Sequence, residues 1–393
     1  MVYHPPSLRS DEQEVLGLIE QLRDQLHDRV AEPRRWNGSL RRLSFARAVQ
    51  ASNSIEGYDA SLDDVVAAVD GEPTVGADDE TEEALTGYRD AMTYVLQIAD
   101  DETMAIDEGL LKGLHFMMLK HNLDKNPGRW RPGTIFVRRE ATGETMYEGP
   151  PAKVVPGLIS EMLEQLREED DQHVLVKAAM AHLNLVMIHP FSDGNGRMAR
   201  CLQTLVLARD HIVAPVFSSI EEFLGRNTQT YYDVLGEVGE GSWNPQNDAR
   251  PWVRFCLRAH FLQATTLLRR RQETEDLWLA CVALVERHGL PERCTAALMD
   301  AAYGLRLRRK SYRSSVVASF GEEISEITAS RDLKAMVEAD LLHPRGERRS
   351  RFYLATPALV ELRERIRAAR PPREERDPFS IVKSDQQLTL SEV

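Results

Sequence analysis

Apolar residues first recur at helical spacing in residues 10–29, where Val15, Leu16, Ile19, Leu22 and Leu26 predict one face of an amphipathic helix. The same period predicts helices over 40–54, stopped at Gly57, and over 62–69. Residues 71–81 carry Gly, Pro and an acidic run and read as a loop, after which 81–98 and 107–120 resume amphipathic helix. The period then changes. Residues 134–137 and 145–147 are short β-like runs around a turn at 141–144, so they predict a hairpin, ended by Pro150 and Pro151. Helix resumes over 154–168. Residues 173–188 are apolar nearly all round and predict a buried central helix. A further helix covers 197–207, and more follow to about residue 271. After Glu273 the texture shifts: a helix over 277–288, a turn near 324, an amphipathic helix over 328–339, a basic turn at 344–349 and a short strand-like run at 351–354. Residues 366–393 are charged, then polar, and read as a flexible tail. The expected fold is mostly α, divided into a helical region at 1–105, a core at 106–272, a smaller unit at 273–365 and the tail.

Composition narrows the function. The chain has 393 residues, 42% of them hydrophobic and 28% charged, which is enough for a sizeable core in an ordinary globular protein. A formal charge of −13 argues against coating nucleic acid along the whole surface. Cys201, Cys256, Cys281 and Cys294 show no CxxC spacing, so they read as buried free thiols in a reducing compartment. The first 28 residues lack the apolar core of a signal peptide, and no apolar run approaches the roughly 20 residues that span a bilayer. The expectation is a cytoplasmic protein with no membrane association.

Chemistry concentrates in one place. His189-Pro190-Phe191-Ser192-Asp193-Gly194-Asn195-Gly196-Arg197, with Arg200 three positions on, puts a base, a carboxylate, two glycines, an amide and two guanidiniums at the end of the apolar helix. Gly194 and Gly196 allow positive φ and close backbone approach, so the loop can form an amide cradle at a helix N-terminus, where anions bind. Arg197 and Arg200 share a helix face and can fork onto one polyphosphate. Asp193 is a hard oxygen ligand suited to Mg²⁺, and His189 is a base poised near neutrality. The reaction these groups suit is in-line attack of a protein hydroxyl on a nucleotide phosphate.

Residues 189–200 resemble the Fic (filamentation induced by cAMP) signature HPFx(D/E)GNGRxxR at every position, within a resemblance covering roughly residues 40–260. Fic proteins are helical bundles with a small β-hairpin flap, and they mostly transfer AMP from ATP to a Ser, Thr or Tyr hydroxyl. The resemblance implies that His189 deprotonates the target, Phe191 anchors the core and Asp193 binds Mg²⁺. It implies further that Asn195 with the amides of Gly194 and Gly196 holds the α-phosphate, and that Arg197 and Arg200 hold the β- and γ-phosphates. The hairpin at 134–148 resembles the flap that aligns a target by strand addition, and Tyr231 and Tyr232 sit where similar proteins line the adenine pocket. Ser52-Asn53-Ser54-Ile55-Glu56-Gly57 resembles the family's inhibitory motif (S/T)xxxE(G/N), so Ser52, Glu56 and Gly57 would place the chain in the N-terminal inhibitory class, with Glu56 holding Arg200 away from the γ-phosphate.

Residues 273–365 resemble a winged helix-turn-helix, with a recognition helix at 328–339 bearing Ser330, Arg331 and Lys334 and a wing at 345–351. This implies possible DNA binding through 328–351, although Glu322, Glu323, Glu326, Glu338 and Asp340 surround those basic groups. The expected function is protein adenylyl transfer, with ATP as substrate, Mg²⁺ as cofactor and a target protein docked on the flap. A homodimer is an expectation of the resemblance alone. The alternatives are a transcription regulator with a nucleotide-sensing domain, or an enzyme that moves another phosphate-linked group or removes AMP.

Overall fold

The computed structural model describes residues 1–31, 35–138, 143–168, 171–209, 217, 219–347 and 351–391. The first helices are α1 (Ser10–Ala31), α2 (Asn37–Ser54), α3 (Leu62–Val69), α4 (Asp79–Ile98) and α5 (Glu108–Leu119). Strands β1 (Phe136–Arg138) and β2 (Thr145–Glu148) follow, then α6 (Val155–Arg167), α7 (Val174–Ile188), α8 (Asn195–Ala208), α9 (Glu221–Arg226) and α10 (Thr228–Gly239). The rest comprises α11 (Arg250–Arg287), α12 (Cys294–Ala302), α13 (Arg309–Phe320), α14 (Glu326–Glu338), strands β3 (Leu342–Arg345) and β4 (Phe352–Ala355), α15 (Pro357–Ala369) and α16 (Pro378–Ser391). The fold is mostly helical, with two small antiparallel hairpins.

The apolar run at 173–188 becomes α7, and twelve of its fifteen residues are buried, so it is the axis around which the first core forms. Trp252 on α11 reaches it through Nε1, which donates to the Ala179 carbonyl at 2.7 Å. The lead-in to α1 also packs here. Val2 and Tyr3 are buried, and Tyr3 exchanges two backbone hydrogen bonds with the Asn184 amide, at 2.8 and 3.1 Å. The chain's first residues thus close one flank of the central helix.

Two differences from the sequence reading have physical causes. The break expected near Glu273 is absent: α11 runs unbroken for 38 residues. Its polar band at 269–276 is a working helix surface, in which Arg271 pairs with Glu275 at 3.1 Å and Gln272 bonds Asp276 at 3.0 Å, both one turn apart. The same helix passes from one core, where it buries Leu257, Phe261 and Leu262, to a second, where it buries Leu267, Leu277 and Trp278. The second correction concerns the flexible tail over 366–393, since residues 378–391 form α16. Phe379 and Val382 are buried there, and the Arg254 guanidinium lies 3.7 Å from the Phe379 ring centroid. Two anchors are too few to create a periodic apolar signal.

Arg42 on α2 pairs with Asp70 and, at 2.7 Å, with Asp300 on α12, while Arg306 and Arg308 pair with Asp63, Asp64 and Glu72 around α3. The helix that carries Ser52 is therefore held from the C-terminal side as well as from the central bundle. Among the described residues no helix is long and apolar enough to cross a membrane, and all four cysteines are buried and free.

Candidate active site

Helix α7 ends because His189 turns left-handed, with φ +50°, and Pro190 cannot continue the ladder. Its backbone N–H still reaches the Leu185 carbonyl at 3.0 Å, which fixes the turn. The imidazole Nδ1 lies 3.0 Å from the Val186 carbonyl. A carbonyl only accepts, so Nδ1 carries the proton and Nε2 presents a lone pair. Burial lowers the pKa of His189 below its usual value, so the ring stays neutral near pH 7 and can take a proton.

The loop returns through Phe191, which is fully buried and stacks on the His115 ring at 3.7 Å between centroids. Asn195 holds the loop closed. Its Oδ1 accepts from the Phe191 N–H at 2.9 Å, and its Nδ2 donates to the Phe191 carbonyl at 3.0 Å. Each end of this side chain thus makes one bond to the Phe191 backbone, which shapes the loop, and Nδ2 keeps a second N–H. Gly194, at φ +74°, starts α8. The left-handed turn favours glycine, and a Cβ there would also press on the Leu119 side chain at 3.1 Å.

Arg197 and Arg200 emerge one turn apart from α8, and each is only 1% exposed. Arg200 is held from α2: its Nε donates to Ser52 Oγ at 2.8 Å, and its Nη2 donates to the Ser52 carbonyl at 2.9 Å and to Glu56 Oε1 at 2.6 Å. Burial opposes this charge, but the Glu56 carboxylate, with smaller contributions from Tyr231 and Tyr88, outweighs it and raises the Arg200 pKa. Nη1 of Arg200 and both Nε and Nη1 of Arg197 are buried without a hydrogen-bond partner. Three orphaned charged donors beside a helix N-terminus form a cradle with spare capacity for an anion. Glu56 covers part of it, since a Cβ on Gly196 would collide with its carboxylate. Gly57 follows in a left-handed turn, φ +85°, that ends the segment.

Asp193 faces the same space. Its Oδ1 accepts from the Gly194 N–H at 2.7 Å, and its Oδ2 pairs with Lys125 at 2.7 Å and lies 3.9 Å from Arg197. Burial alone would raise its pKa, but Lys125 and Arg197 hold it low, so it is a carboxylate. Among the described residues no cluster of three metal-ligating side chains occurs.

Several residues at this site carry no sequence signal. His115 donates from Nε2 to the Asp193 carbonyl at 3.0 Å and accepts at Nδ1 from the Gly128 N–H at 2.8 Å. These bonds fit one neutral tautomer, and burial lowers its pKa to about 4. Arg131 donates to the His189 carbonyl at 2.7 Å and also to the carbonyls of Gly133, Pro150 and Ile188. It therefore ties the end of α7 to both feet of the hairpin. Glu221 lies behind Arg200; burial raises its pKa to about 7, and Tyr88 donates to it at 2.5 Å.

The hairpin pairs Phe136 with Glu148 and Val137 with Tyr147, and residues 139–142 of the predicted flap lie outside the described residues. Tyr147 donates to the Met187 carbonyl at 2.7 Å, which fastens β2 to the last turn of α7. The far edge of β2 is partly taken, because the Glu148 N–H donates to the Gly241 carbonyl at 3.0 Å. Phe136 and Met146 are exposed.

The Fic/DOC family model matches residues 105–207. These residues form a Fic domain. It holds His189, Asp193, Arg197 and Arg200, together with His115, Lys125 and Arg131. The chain is 28% identical over 259 residues to "Protein adenylyltransferase Fic" of Nematostella vectensis, covering 64% of this chain and 55% of that protein. It is 29% identical over 243 residues to the protein of the same name from Culex quinquefasciatus, covering 59% of this chain and 44% of that one. The chain thus spans about half the length of these curated relatives. A crystal structure of a Fic family protein from Desulfovibrio desulfuricans G20 shares the fold, with a TM-score of 0.57, 24% identity, and coverage of 90% of this chain and 99% of that one.

Outside the Fic domain, Ser52 and Glu56 reach it through Arg200, as described. Tyr231 and Tyr232 behave differently from each other. Tyr231 is 1% exposed and donates to His182 Nε2 at 3.0 Å, because His182 Nδ1 is engaged by Gln203 Oε1 at 2.6 Å. Its ring lies in an aromatic cluster with Trp252 and Phe255, so it belongs to the core. Tyr232 is 45% exposed and donates to the Ile55 carbonyl at 3.3 Å, beside Glu56. The second surface singled out by the sequence, 328–351, carries paired charges: Lys334 pairs with Glu338 at 3.3 Å, and Asp332 is buried beneath Arg293 at 2.7 Å. Residues 348–350 of its wing lie outside the described residues.

Proposed function

We propose that this chain transfers AMP from ATP to a protein hydroxyl, and that Glu56 restrains the reaction. Two observations support the reading: His189 keeps a lone pair at Nε2 and feels the charges of Glu56 and Asp193, and α8, which begins six residues on, carries three guanidinium nitrogens of Arg197 and Arg200 without hydrogen-bond partners. A base beside an anion cradle suits attack on a nucleotide phosphate.

In the proposed step, His189 Nε2 takes the proton of the acceptor hydroxyl as its oxygen forms a bond to the α-phosphorus. The bond from that phosphorus to the bridging oxygen breaks, and pyrophosphate leaves. Backbone N–H groups at the start of α8 would face the α-phosphate, while Arg197 would take the charge of the outer phosphates. Arg200 could contribute fully only after leaving Glu56, so the ion pair competes directly with the substrate. Asp193 is the residue here that would hold Mg²⁺, and it fits a hard cation as a partly exposed carboxylate next to the cradle. Bound Mg²⁺ would neutralise phosphate charge during transfer. Lys125 is its resident competitor. Tyr232, rather than Tyr231, has an accessible ring for the adenine. The target would add a strand along the outer edge of β1, because the far edge of β2 is partly taken.

The experiment that tests this reading compares ATP labelled at the α-phosphate with ATP labelled at the γ-phosphate. Incubation of the Glu56→Gly variant with Mg²⁺ and a cell lysate should add acid-stable protein label, above that of the lysate alone, from the α-labelled nucleotide only. Added label from the γ-position in place of the α-position would indicate phosphoryl transfer instead, and would defeat the proposal.

A further inference from the structure

On the opposite flank of α2 from the Arg42 ion pairs, a cavity of about 170 Å³ lies between α2, α11 and α15. Five guanidiniums line it, those of Arg47, Arg270, Arg363, Arg367 and Arg370, against the single lining carboxylate of Glu273. Its floor is polar, where Thr274 and Tyr303 share a hydrogen bond of 3.0 Å.

The pairing around this cavity leaves positive charge over. Glu273 is paired with Arg370 and lies 3.7 Å from Arg363. Arg270 pairs with Glu222, which Arg226 also approaches at 3.5 Å. Arg367 meets Glu364 at 3.5 Å on the solvent side, where both are half exposed. Arg47 makes no hydrogen bond or ion pair among the described residues. Burial and then the neighbouring Arg270 push its pKa down to about 10, against the attraction of Glu222. Burial likewise lowers Arg226 to about 10, with Arg373, Arg270 and Arg269 adding to the effect against Glu222. Cations crowded until they depress one another are relieved by an anion. Guanidiniums from three helices give the fork geometry that suits phosphate oxygens. The enclosing helices limit the ligand to a small group.

We propose that this cavity is a second anion site, separate from the cradle at Arg197, that binds a compact polyphosphate such as pyrophosphate, either free or as the phosphate end of a larger molecule. Arg47 supplies a charge from α2, five residues before Ser52, that Glu222 attracts but no carboxylate among the described residues pairs directly. Arg363 and Arg370 form the opposite wall, while Glu273 keeps them in place when the site is empty.

Calorimetric titration of the full chain with pyrophosphate at fixed ionic strength tests the site without requiring any AMP transfer, so its failure and a failure of the transferase reading are distinguishable. Arg47→Gln/Arg367→Gln removes two guanidiniums that do not pair with the buried carboxylates. It should weaken pyrophosphate binding by about tenfold or more. Arg197→Gln should leave that binding in place. The charge-preserving Arg47→Lys/Arg367→Lys should retain more affinity than the Gln pair, and Arg367→Gln alone serves if the double variant does not fold. A parallel titration with ADP in the Arg197→Gln background identifies the source: affinity equal to pyrophosphate points to a nucleotide or similar ester, and much weaker binding points to the free anion. Absence of pyrophosphate binding to the wild type would overturn the proposal. So would binding that is unchanged by Arg47→Gln/Arg367→Gln, or that is lost with Arg197→Gln.

Discussion

Replacing Glu56 by Gln keeps the size and shape of the side chain and removes its charge. The Arg200 side chain is fully buried, and its Nη2 bond to Glu56 Oε1 is short at 2.6 Å, while the Glu56 side chain is 24% exposed. A charge-assisted hydrogen bond in this setting contributes about 1.5–3 kcal/mol, which partial exposure reduces to roughly 1–2 kcal/mol. If Arg200 must leave Glu56 to reach a phosphate, that energy is a barrier to productive binding. Its removal should raise the rate of AMP transfer at low ATP by about 5- to 30-fold. Glu56→Gly should exceed Glu56→Gln, because it also clears the space over Gly196. The same change leaves a buried guanidinium short of a partner, so the variant without nucleotide should melt earlier than wild type and recover with ATP. Initial rates over an ATP series, with thermal melting alongside, check both effects. An unchanged or lower rate in Glu56→Gln and Glu56→Gly, with ATP affinity as in wild type, would refute the competition between Glu56 and phosphate.

Three further outcomes follow from the same geometry. If His189 is the neutral base, its pKa, lowered by burial, means that kcat/KM should fall only below the ordinary histidine value of about 6.5; an acid limb centred at or above that value would contradict the role. Lys125→Met should lower the Mg²⁺ needed for half-maximal rate by about two- to fivefold, because Lys125 competes for Asp193 Oδ2, and a higher requirement would argue that Lys125 assists metal binding. Burial holds His182 at about 3 in the folded protein, whereas the unfolded chain protonates it near 6.5. The unfolded state therefore binds one more proton between these values, and stability falls as pH drops through this window. Urea titrations at several pH values should show His182→Gln losing about 1.4 kcal/mol per pH unit less than wild type there, and parallel slopes would remove His182 from the account.

What could be read in the sequence depended on how local the cause was. The turn from α7 into α8 is built from neighbouring residues, with a left-handed His189, a proline, a left-handed Gly194 and arginines one turn apart, so the whole cradle is contiguous in the chain. Glu56 is distant, but its motif is also contiguous, and the chain folds it onto Arg200. His115 and Arg131 lie 78 and 58 positions from their partners at the site. His115 lies on the buried face of α5 among Leu111, Leu114 and Met118, where a histidine carries no periodic signal of its own. Tyr231 and Tyr232 are adjacent, and only packing decides that one enters the core and the other faces Glu56. The arginine cavity was equally hidden, because its charges come from three helices and each reads alone as a solvated face.

A His189-driven transfer restrained by Glu56 can be checked with α-labelled ATP and Mg²⁺ added to one lysate with wild type, Glu56→Gly and Glu56→Gly/His189→Ala in parallel. Protein labelling should be strong with Glu56→Gly, weak with wild type and absent with the double variant. Labelling that persists in the double variant, or that is absent from Glu56→Gly on itself and on every lysate protein, would contradict it.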